Sequence, residues 1–227
     1  MEENQQLENV NKPENEFKKF QVSFLLFLIG EIFLVVSQAS HLTSINGVPQ
    51  ALILLQLLST VGYVFYFIAI FRVREINKAF MRSLIALAVL LVLFYVRDLS
   101  SNSIQPVDRY IGKGLGWSAS FVECTFYLYF FYGTHLMFKK YGYSSGAKNL
   151  RISLAVFAGL FLVTRVFEYL STARFVRINR FTNRFFLYGY WSLIFLVYLL
   201  ILAIIVLTWI YLKRQFNKKK GESHETA

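Results

Sequence analysis

Long apolar stretches alternate with short polar and basic stretches along most of this chain. Six stretches are predominantly apolar, at residues 20–39, 50–71, 80–96, 115–138, 152–170 and 185–212. A helix needs about 20 such residues to cross the hydrocarbon core of a bilayer, and the six stretches are close to that length or longer. The pattern therefore predicts an all-α, polytopic membrane helical bundle with about six transmembrane helices.

The two ends of the chain are polar. Residues 1–19 carry five glutamates and no periodic apolar face, and residues 213–227 are basic. We expect both ends to be disordered tails that flank a transmembrane domain at 20–212. A cleaved signal peptide over the first apolar stretch is disfavoured by the long acidic segment before it and by Glu31 within it.

Composition supports a membrane protein. Hydrophobic residues make up 56% of the 227 residues and charged residues only 16%, whereas a soluble domain has roughly 45–50% and about 25%. The formal net charge of +11 comes from lysines and arginines that lie between the apolar stretches. That placement is typical of loops against anionic lipid head groups, so we expect the bilayer and anionic lipid as partners and no nucleic acid.

The distribution of positive charge predicts an orientation. The two tails with the second and fourth loops hold sixteen lysines and arginines, against seven in the first, third and fifth loops. Because positive residues favour the cytoplasmic side, both termini are expected in the cytoplasm, with the plasma membrane as the expected location.

The fifth loop departs from this distribution. Four of the seven arginines and lysines on the predicted outer side lie at three- and four-residue spacing in and beside it: Arg174, Arg177, Arg180 and Arg184. Phenylalanines between them suggest an interfacial amphipathic helix, which would anchor the chain to head groups or form an anion-attracting rim. A short sequence echo between residues 71–78 and 174–180 also raises the hypothesis of two three-helix halves.

Ionisable residues lie within or at the ends of the predicted spans. They are Glu31, Arg97, Asp98, Glu123, Arg165 and Glu168. Each charge in hydrocarbon costs about 2.5–3.5 kcal/mol on insertion scales, so such residues need partners or water. Counting along the helices places all of them in the half of the bilayer next to the first, third and fifth loops.

Helical periodicity places polar side chains on shared stripes of the second, fourth and fifth helices. The stripe of the fifth helix is Arg165 with Glu168, spaced for an ion pair. The other two stripes are Gln56, Ser59, Tyr63 and Tyr66 on the second helix and Glu123, Tyr127, Phe130 and Thr134 on the fourth. These stripes predict one wet, aromatic-walled ligand pocket lined by Glu31, Glu123 and Arg165. The alternative is an internal polar network that holds the helices together.

The sequence contains no motif that names a family or a reaction. Cys124 is the single cysteine, which excludes an intrachain disulfide and a multi-cysteine metal site. The three histidines form no His-Glu-x-x-His pattern, and the alternating glycines at 112, 114 and 116 suggest a flexible loop rather than a phosphate-binding turn. We expect no metal and no cofactor, and the sequence favours a protein that is not an enzyme.

Three classes of function fit these features. The first is a membrane protein that binds or moves a small solute or ion through a polar pocket in one half of the bilayer. The second is a non-catalytic membrane scaffold, sensor or assembly subunit. The third, an intramembrane enzyme acting on lipid, lacks an evident nucleophile.

Overall fold

The structure is a computed structural model that describes the backbone of residues 2–43, 49–101, 106–172 and 180–225. Side chains are described at 15–39, 57–97, 99, 114–170 and 188–215. The described residues form six α-helices: α1 Glu2–Thr43, α2 Pro49–Val73, α3 Lys78–Ser101, α4 Pro106–Lys140, α5 Ser144–Thr172 and α6 Arg180–Glu225. No strand occurs in these ranges, and the prediction of an all-α membrane bundle is confirmed.

Within the described residues, four helices contain a stretch long and apolar enough to cross a membrane. These stretches are Asn15–Ala39, Lys78–Arg97, Ser144–Leu170 and Tyr188–Gln215. In α2 the described apolar stretch is shorter, at Leu57–Val73. The described part of α4 is not in this group, because tyrosines, a histidine and Glu123 interrupt its apolar residues. The chain is therefore an integral membrane protein, and the membrane crossings of α2 and α4 stay predictions.

Several helices extend beyond the predicted spans. α1 begins at Glu2 and α6 ends at Glu225, whereas disordered tails were expected at 1–19 and 213–227. Glutamate, glutamine and lysine have favourable helix propensity, and lengthening an existing helix needs no new nucleation. The cytoplasmic placement of both ends stays a prediction.

The expected glycine loop is also helical. α4 starts at Pro106 and runs through the glycines at 112, 114 and 116. Proline is favoured in the first turn of a helix, where its missing N–H is not needed. The hydroxyls of Ser118 and Ser120 donate to the carbonyls of Gly114 and Gly116 at 3.2 and 3.1 Å. The hypothesis of an amphipathic helix over 174–185 falls partly at 173–179, outside the described residues, and from Arg180 onward this segment belongs to α6.

Inter-helix contacts divide the chain into two compact units. The first unit consists of Met1–Ala69 and Lys148–Ala227, and the second unit is Ile70–Ala147. In the first unit α1 packs along α6, and in the second unit α3 packs along α4. This division differs from two successive three-helix halves, which stay a hypothesis.

In the first unit, α1 and α2 approach each other closely at two glycines. A Cβ atom added to Gly30 would lie 2.8 Å from the carbonyl oxygen of Gly62. A Cβ atom added to Gly62 would lie 2.9 Å from the carbonyl oxygen of Gly30. Small residues allow membrane helices to pack backbone against backbone in this way. The crossing places Glu31, the next residue of α1, at the helix interface.

In the second unit, polar side chains fix α3 against α4. The Asn77 carboxamide oxygen accepts hydrogen bonds from two amides in the first turn of α3, at 2.9 and 3.1 Å. Its amide nitrogen donates to the Gly133 carbonyl at 3.2 Å. Farther along, the Ser83 hydroxyl donates to the Phe126 carbonyl at 3.0 Å. The cap therefore starts α3 and also sets its position beside α4.

The turn between α4 and α5 depends on a glycine in the left-handed region. Gly142 has φ +76°. Its amide donates to the Lys139 carbonyl at 3.1 Å, and the Tyr143 amide donates to the Phe138 carbonyl at 2.8 Å. These two bonds form the Schellman arrangement that satisfies the last carbonyls of a helix.

Candidate functional site

A buried carboxylate and a buried phenol meet between α1 and α2 of the first unit. Glu31 and Tyr66 are both 0% exposed. The Tyr66 hydroxyl donates a hydrogen bond to the Glu31 carboxylate at Oε2. Glu31 lies inside the apolar span of α1, so this carboxylate is held within a membrane helix pair.

The position of Tyr66 is fixed by packing. Its ring stacks on Phe27 with ring centroids 4.1 Å apart, and Tyr63 meets it edge-on at 6.1 Å. A Cβ atom at Gly30 would lie 2.8 Å from the Tyr66 ring, so the glycine makes room for it. Because the ring is held on these sides, its hydroxyl is pre-organised toward Glu31 at little additional entropic cost.

More polar groups follow Glu31 along the same interface. The hydroxyls of Ser37 on α1 and Ser59 on α2 are 2.7 Å apart. The Gln38 side-chain oxygen is buried and has no hydrogen-bond partner among the described residues. Ser37 lies six residues after Glu31, which corresponds to about 9 Å along the helix. Polar groups therefore recur on this interface at Ser37 and Gln38, beyond Leu34, which packs against Gly62. Gln56, predicted on the same stripe, lies outside the described side chains.

A second polar group of the first unit lies between α5 and α6. Arg165 Nη1 is 2.5 Å from Glu168 Oε2, so the ion pair that their spacing favoured is present. Both side chains are largely buried, at 12% and 17% exposure. The centroid of the Tyr190 ring of α6 lies 5.9 Å from the guanidinium carbon of Arg165. The Arg165 guanidinium also lies 4.9 Å from the Phe161 ring centroid, a distance at which cation–π attraction is favourable.

The remaining predicted site residues belong to the second unit. Glu123 is half-buried on α4. Tyr127 is buried, with ring centroids 4.9 Å from Phe126 and 6.4 Å from Phe131. Arg97 near the end of α3 lies 4.9 Å over the Phe94 ring. Within the second unit Tyr127 and Arg97 thus take part in aromatic contacts, and the Asp98 side chain lies outside the described set.

The predicted residues are divided between the two units. Glu31 with Tyr63 lies at the α1–α2 interface, Arg165 with Glu168 at the α5–α6 interface, and Glu123, Tyr127 and Arg97 in the second unit. One pocket lined by Glu31, Glu123 and Arg165 stays a prediction. No three side chains among His, Cys, Asp and Glu come together at a possible metal site within the described residues.

Two parts of these groups were not found from the sequence. Tyr190 stands in a run of aromatic residues at the start of α6, where nothing in its spacing singles it out. The second part is the close approach of α1 and α2 at Gly30 and Gly62. A glycine directly before a glutamate in an apolar helix was an available signal for it. Contacts between helices far apart in sequence decide both features, and periodicity within one helix does not report them.

Comparison with known proteins adds no family to this picture. No protein family, no curated protein and no solved structure matches the sequence. The chain is therefore characterised by its own features, as an integral membrane protein with six helices in its described part and a buried Glu31–Tyr66 pair.

Proposed function

We propose that this membrane protein binds and moves a small solute or ion, with Glu31 as the group that takes up a proton or a small cation. The observation that carries the proposal is the complete burial of the Glu31 carboxylate inside an apolar span, with the Tyr66 hydroxyl as its hydrogen-bond donor. Ionisable residues within membrane spans commonly mark ion pathways and proton relays.

The energetic argument concerns a change of charge. Charge interactions are stronger in a buried, low-dielectric site than in water. A proton or cation that arrives at Glu31 therefore has a large effect on the energy of the α1–α2 pair. Because Tyr66 of α2 donates to the carboxylate of α1, this effect acts directly on the contact between the two helices.

A route to Glu31 is supported by the polar groups of the same interface. Ser37, Ser59 and Gln38 lie between Glu31 and the end of α1 at Thr43. Hydroxyl and amide oxygens form hydrogen bonds with a chain of water molecules that carries protons, and they also coordinate hard cations. We propose that solute or ion reaches Glu31 from that end of the helix pair.

The other buried charges fit a structural role better. Arg165 and Glu168 neutralise each other at 2.5 Å within one helix. An internally neutralised pair with an aromatic neighbour stabilises the α5–α6 contact without a further ion. Glu168 is therefore a suitable control position for experiments on Glu31.

The experiment uses purified protein in vesicles that contain a fluorescent indicator for H⁺, Na⁺ or K⁺, according to the gradient applied. Gradients of H⁺, Na⁺ and K⁺ are applied in turn to the wild type, Glu31→Gln and Glu168→Gln. Glutamine keeps the size of glutamate and an oxygen that accepts from Tyr66, but it has no negative charge. We expect flux of at least one ion in the wild type and in Glu168→Gln, and none in Glu31→Gln.

The second candidate function, a non-catalytic scaffold or assembly subunit, is favoured by the Gly30–Gly62 crossing. This crossing with the Glu31–Tyr66 bond would serve as a fastening between α1 and α2. Unchanged flux in a folded Glu31→Gln protein would refute the role of Glu31 in transport. Absence of flux in every protein, with assembly lost only when the crossing is disturbed, would favour the scaffold.

We also propose the plasma membrane as the location, with both termini in the cytoplasm, on the distribution of lysine and arginine between loops. A single cysteine in either tail of a Cys124→Ser background tests this orientation. The proposal requires that a membrane-impermeant maleimide labels both tails only after permeabilisation of intact cells. Labelling of either tail in intact cells would contradict it.

A further inference from the structure

An apolar groove lies between α3 and α4 of the second unit. Its volume is about 300 Å³, and its walls include Ile85 and Val89 from α3 and Val122 from α4. Arg82 and Tyr129 also line it. The volume is at the lower end of the range for small-molecule sites.

The groove offers hydrocarbon along most of its length and is open to the surroundings. Ile85 is 57% exposed and Val89 is 44% exposed. The hydroxyl of Thr125, which also lines the groove, donates to the Phe121 carbonyl at 2.9 Å and so is already satisfied within α4. All the α3 residues of the groove lie within the apolar span Lys78–Arg97. Inside a bilayer, the partner that matches this apolar groove is an acyl chain of a lipid.

One end of the groove carries a positive charge. The Arg82 guanidinium lies 5.8 Å from the centroid of the Tyr129 ring. Arg82 is four residues after the start of α3 at Lys78, about 6 Å along the helix. From Arg82 to Val89 the groove extends about 10 Å farther along α3. The groove thus has a charged end followed by an apolar channel, which matches the head group and the acyl chain of a lipid.

The same end of the second unit is rich in basic residues. The hydrogen bond from Asn77 to the Gly133 carbonyl places the start of α3 beside the last turns of α4. The basic residues at this end, which we call the basic rim, are Arg72, Arg74, Lys78, Arg82, Lys139 and Lys140. Glu75 is the acidic side chain among the described residues there. This surplus of positive charge complements an anionic head group rather than a neutral one.

We propose that the α3–α4 groove is a binding site for an anionic glycerophospholipid. One acyl chain lies between Ile85, Val89 and Val122, and the phosphate lies on Arg82. A guanidinium presents parallel N–H groups to two phosphate oxygens, which a neutral side chain cannot do. The basic rim adds attraction for a head group with net negative charge. This site is independent of Glu31 and of the function proposed for it.

The test measures lipid binding to the purified full chain in a neutral detergent by native mass spectrometry. Dioleoyl phosphatidylglycerol and dioleoyl phosphatidylcholine are titrated separately. One basic residue near the membrane surface contributes about fivefold for a head group with net negative charge, so Arg82→Gln should weaken phosphatidylglycerol binding by about that factor more than phosphatidylcholine binding, which loses only the contact with its phosphate. Arg82→Lys should keep part of the preference, because it keeps the charge but loses the bidentate geometry.

Two further variants separate this site from general attraction. Lys140→Gln removes an exposed charge of the basic rim that does not line the groove, and it should weaken phosphatidylglycerol binding clearly less than Arg82→Gln. Val89→Phe fills the groove from a partly exposed position, so both lipids should bind more weakly. Equal losses in Lys140→Gln and Arg82→Gln, or unchanged binding in Val89→Phe, would overturn the proposal. So would competition by glycerol phosphate as effective as that by the lipid.

Discussion

The hydrogen bond from Tyr66 to Glu31 gives a direct way to find whether the buried carboxylate is charged. Tyr66→Phe removes the hydroxyl and keeps the ring that stacks on Phe27 at 4.1 Å. Glu31→Gln keeps an acceptor oxygen and removes the ionisable group. The cost of Tyr66→Phe is measured first with Glu31 in place and then with glutamine there.

The expected cost depends on the charge of the acceptor. Hydrogen bonds between neutral groups in a membrane helix bundle contribute about 0.6 kcal/mol on average. Hydrogen bonds to a charged group contribute about 1.5–3 kcal/mol. If Glu31 is ionised at neutral pH, Tyr66→Phe should cost about 1.5–3 kcal/mol in the wild type and about 0.6 kcal/mol beside glutamine. If Glu31 carries a proton, both costs should be near the smaller value.

The assay is reversible unfolding in mixed micelles by titration with sodium dodecyl sulfate, followed by circular dichroism. Tyr188→Phe is the matched control, since Tyr188 is on α6 of the same unit and is 49% exposed. It should change the free energy of unfolding by less than about 0.5 kcal/mol. If Tyr66→Phe costs no more than Tyr188→Phe in either background, the Tyr66 hydroxyl does not support Glu31 and the reasoning fails.

Three further substitutions test the packing. Gly30→Ala adds a methyl group 2.8 Å from a carbonyl oxygen of α2 and should destabilise by roughly 1–3 kcal/mol, whereas Gly159→Ala meets nothing within 4 Å and should not. Equal stability of the two variants would refute the close crossing. Glu168→Gln leaves Arg165 without its 2.5 Å partner and should destabilise by about 1–3 kcal/mol, part of which Arg165→Gln should restore. Additive losses would contradict that coupling. Gly142→Ala places a side chain at φ +76° and should lower the free energy of unfolding by about 1–2 kcal/mol, seen as a lower unfolding midpoint. An unchanged midpoint would exclude the left-handed turn.

The helices were predictable because the length of an apolar stretch is a local property of the chain. The stretch at 80–96 became α3, Lys78–Ser101, and the stretch at 152–170 lies within α5, Ser144–Thr172. The ends of the helices were less predictable than their existence. Polar residues with good helix propensity continue a helix beyond the membrane, and the hydrophobic pattern does not report where it stops.

The candidate site was predictable only in part. The Arg165–Glu168 pair follows from a spacing of three residues on one helix, which sequence alone provides. The predicted polar stripe that includes Tyr63 lies on the face of α2 that meets α1, since Tyr63 packs edge-on against Tyr66. The partner of Glu31 did not follow, because Tyr66 is on another helix and the distance between helices depends on Gly30 and Gly62. Such pairings need the relative position of two helices, which periodicity within each helix leaves undetermined.

The close crossing and the buried carboxylate are physically one feature. Without a side chain at Gly30, α2 approaches until the Tyr66 ring fills the space, and its hydroxyl then reaches the neighbouring Glu31. A change that separates the helices therefore weakens the hydrogen bond, and a change of charge on Glu31 in turn alters how strongly the helices hold together. Loss of function in Gly30→Ala would accordingly not distinguish transport from scaffolding. Glu31→Gln does, because it changes the charge while it keeps the size of the side chain and an acceptor for Tyr66.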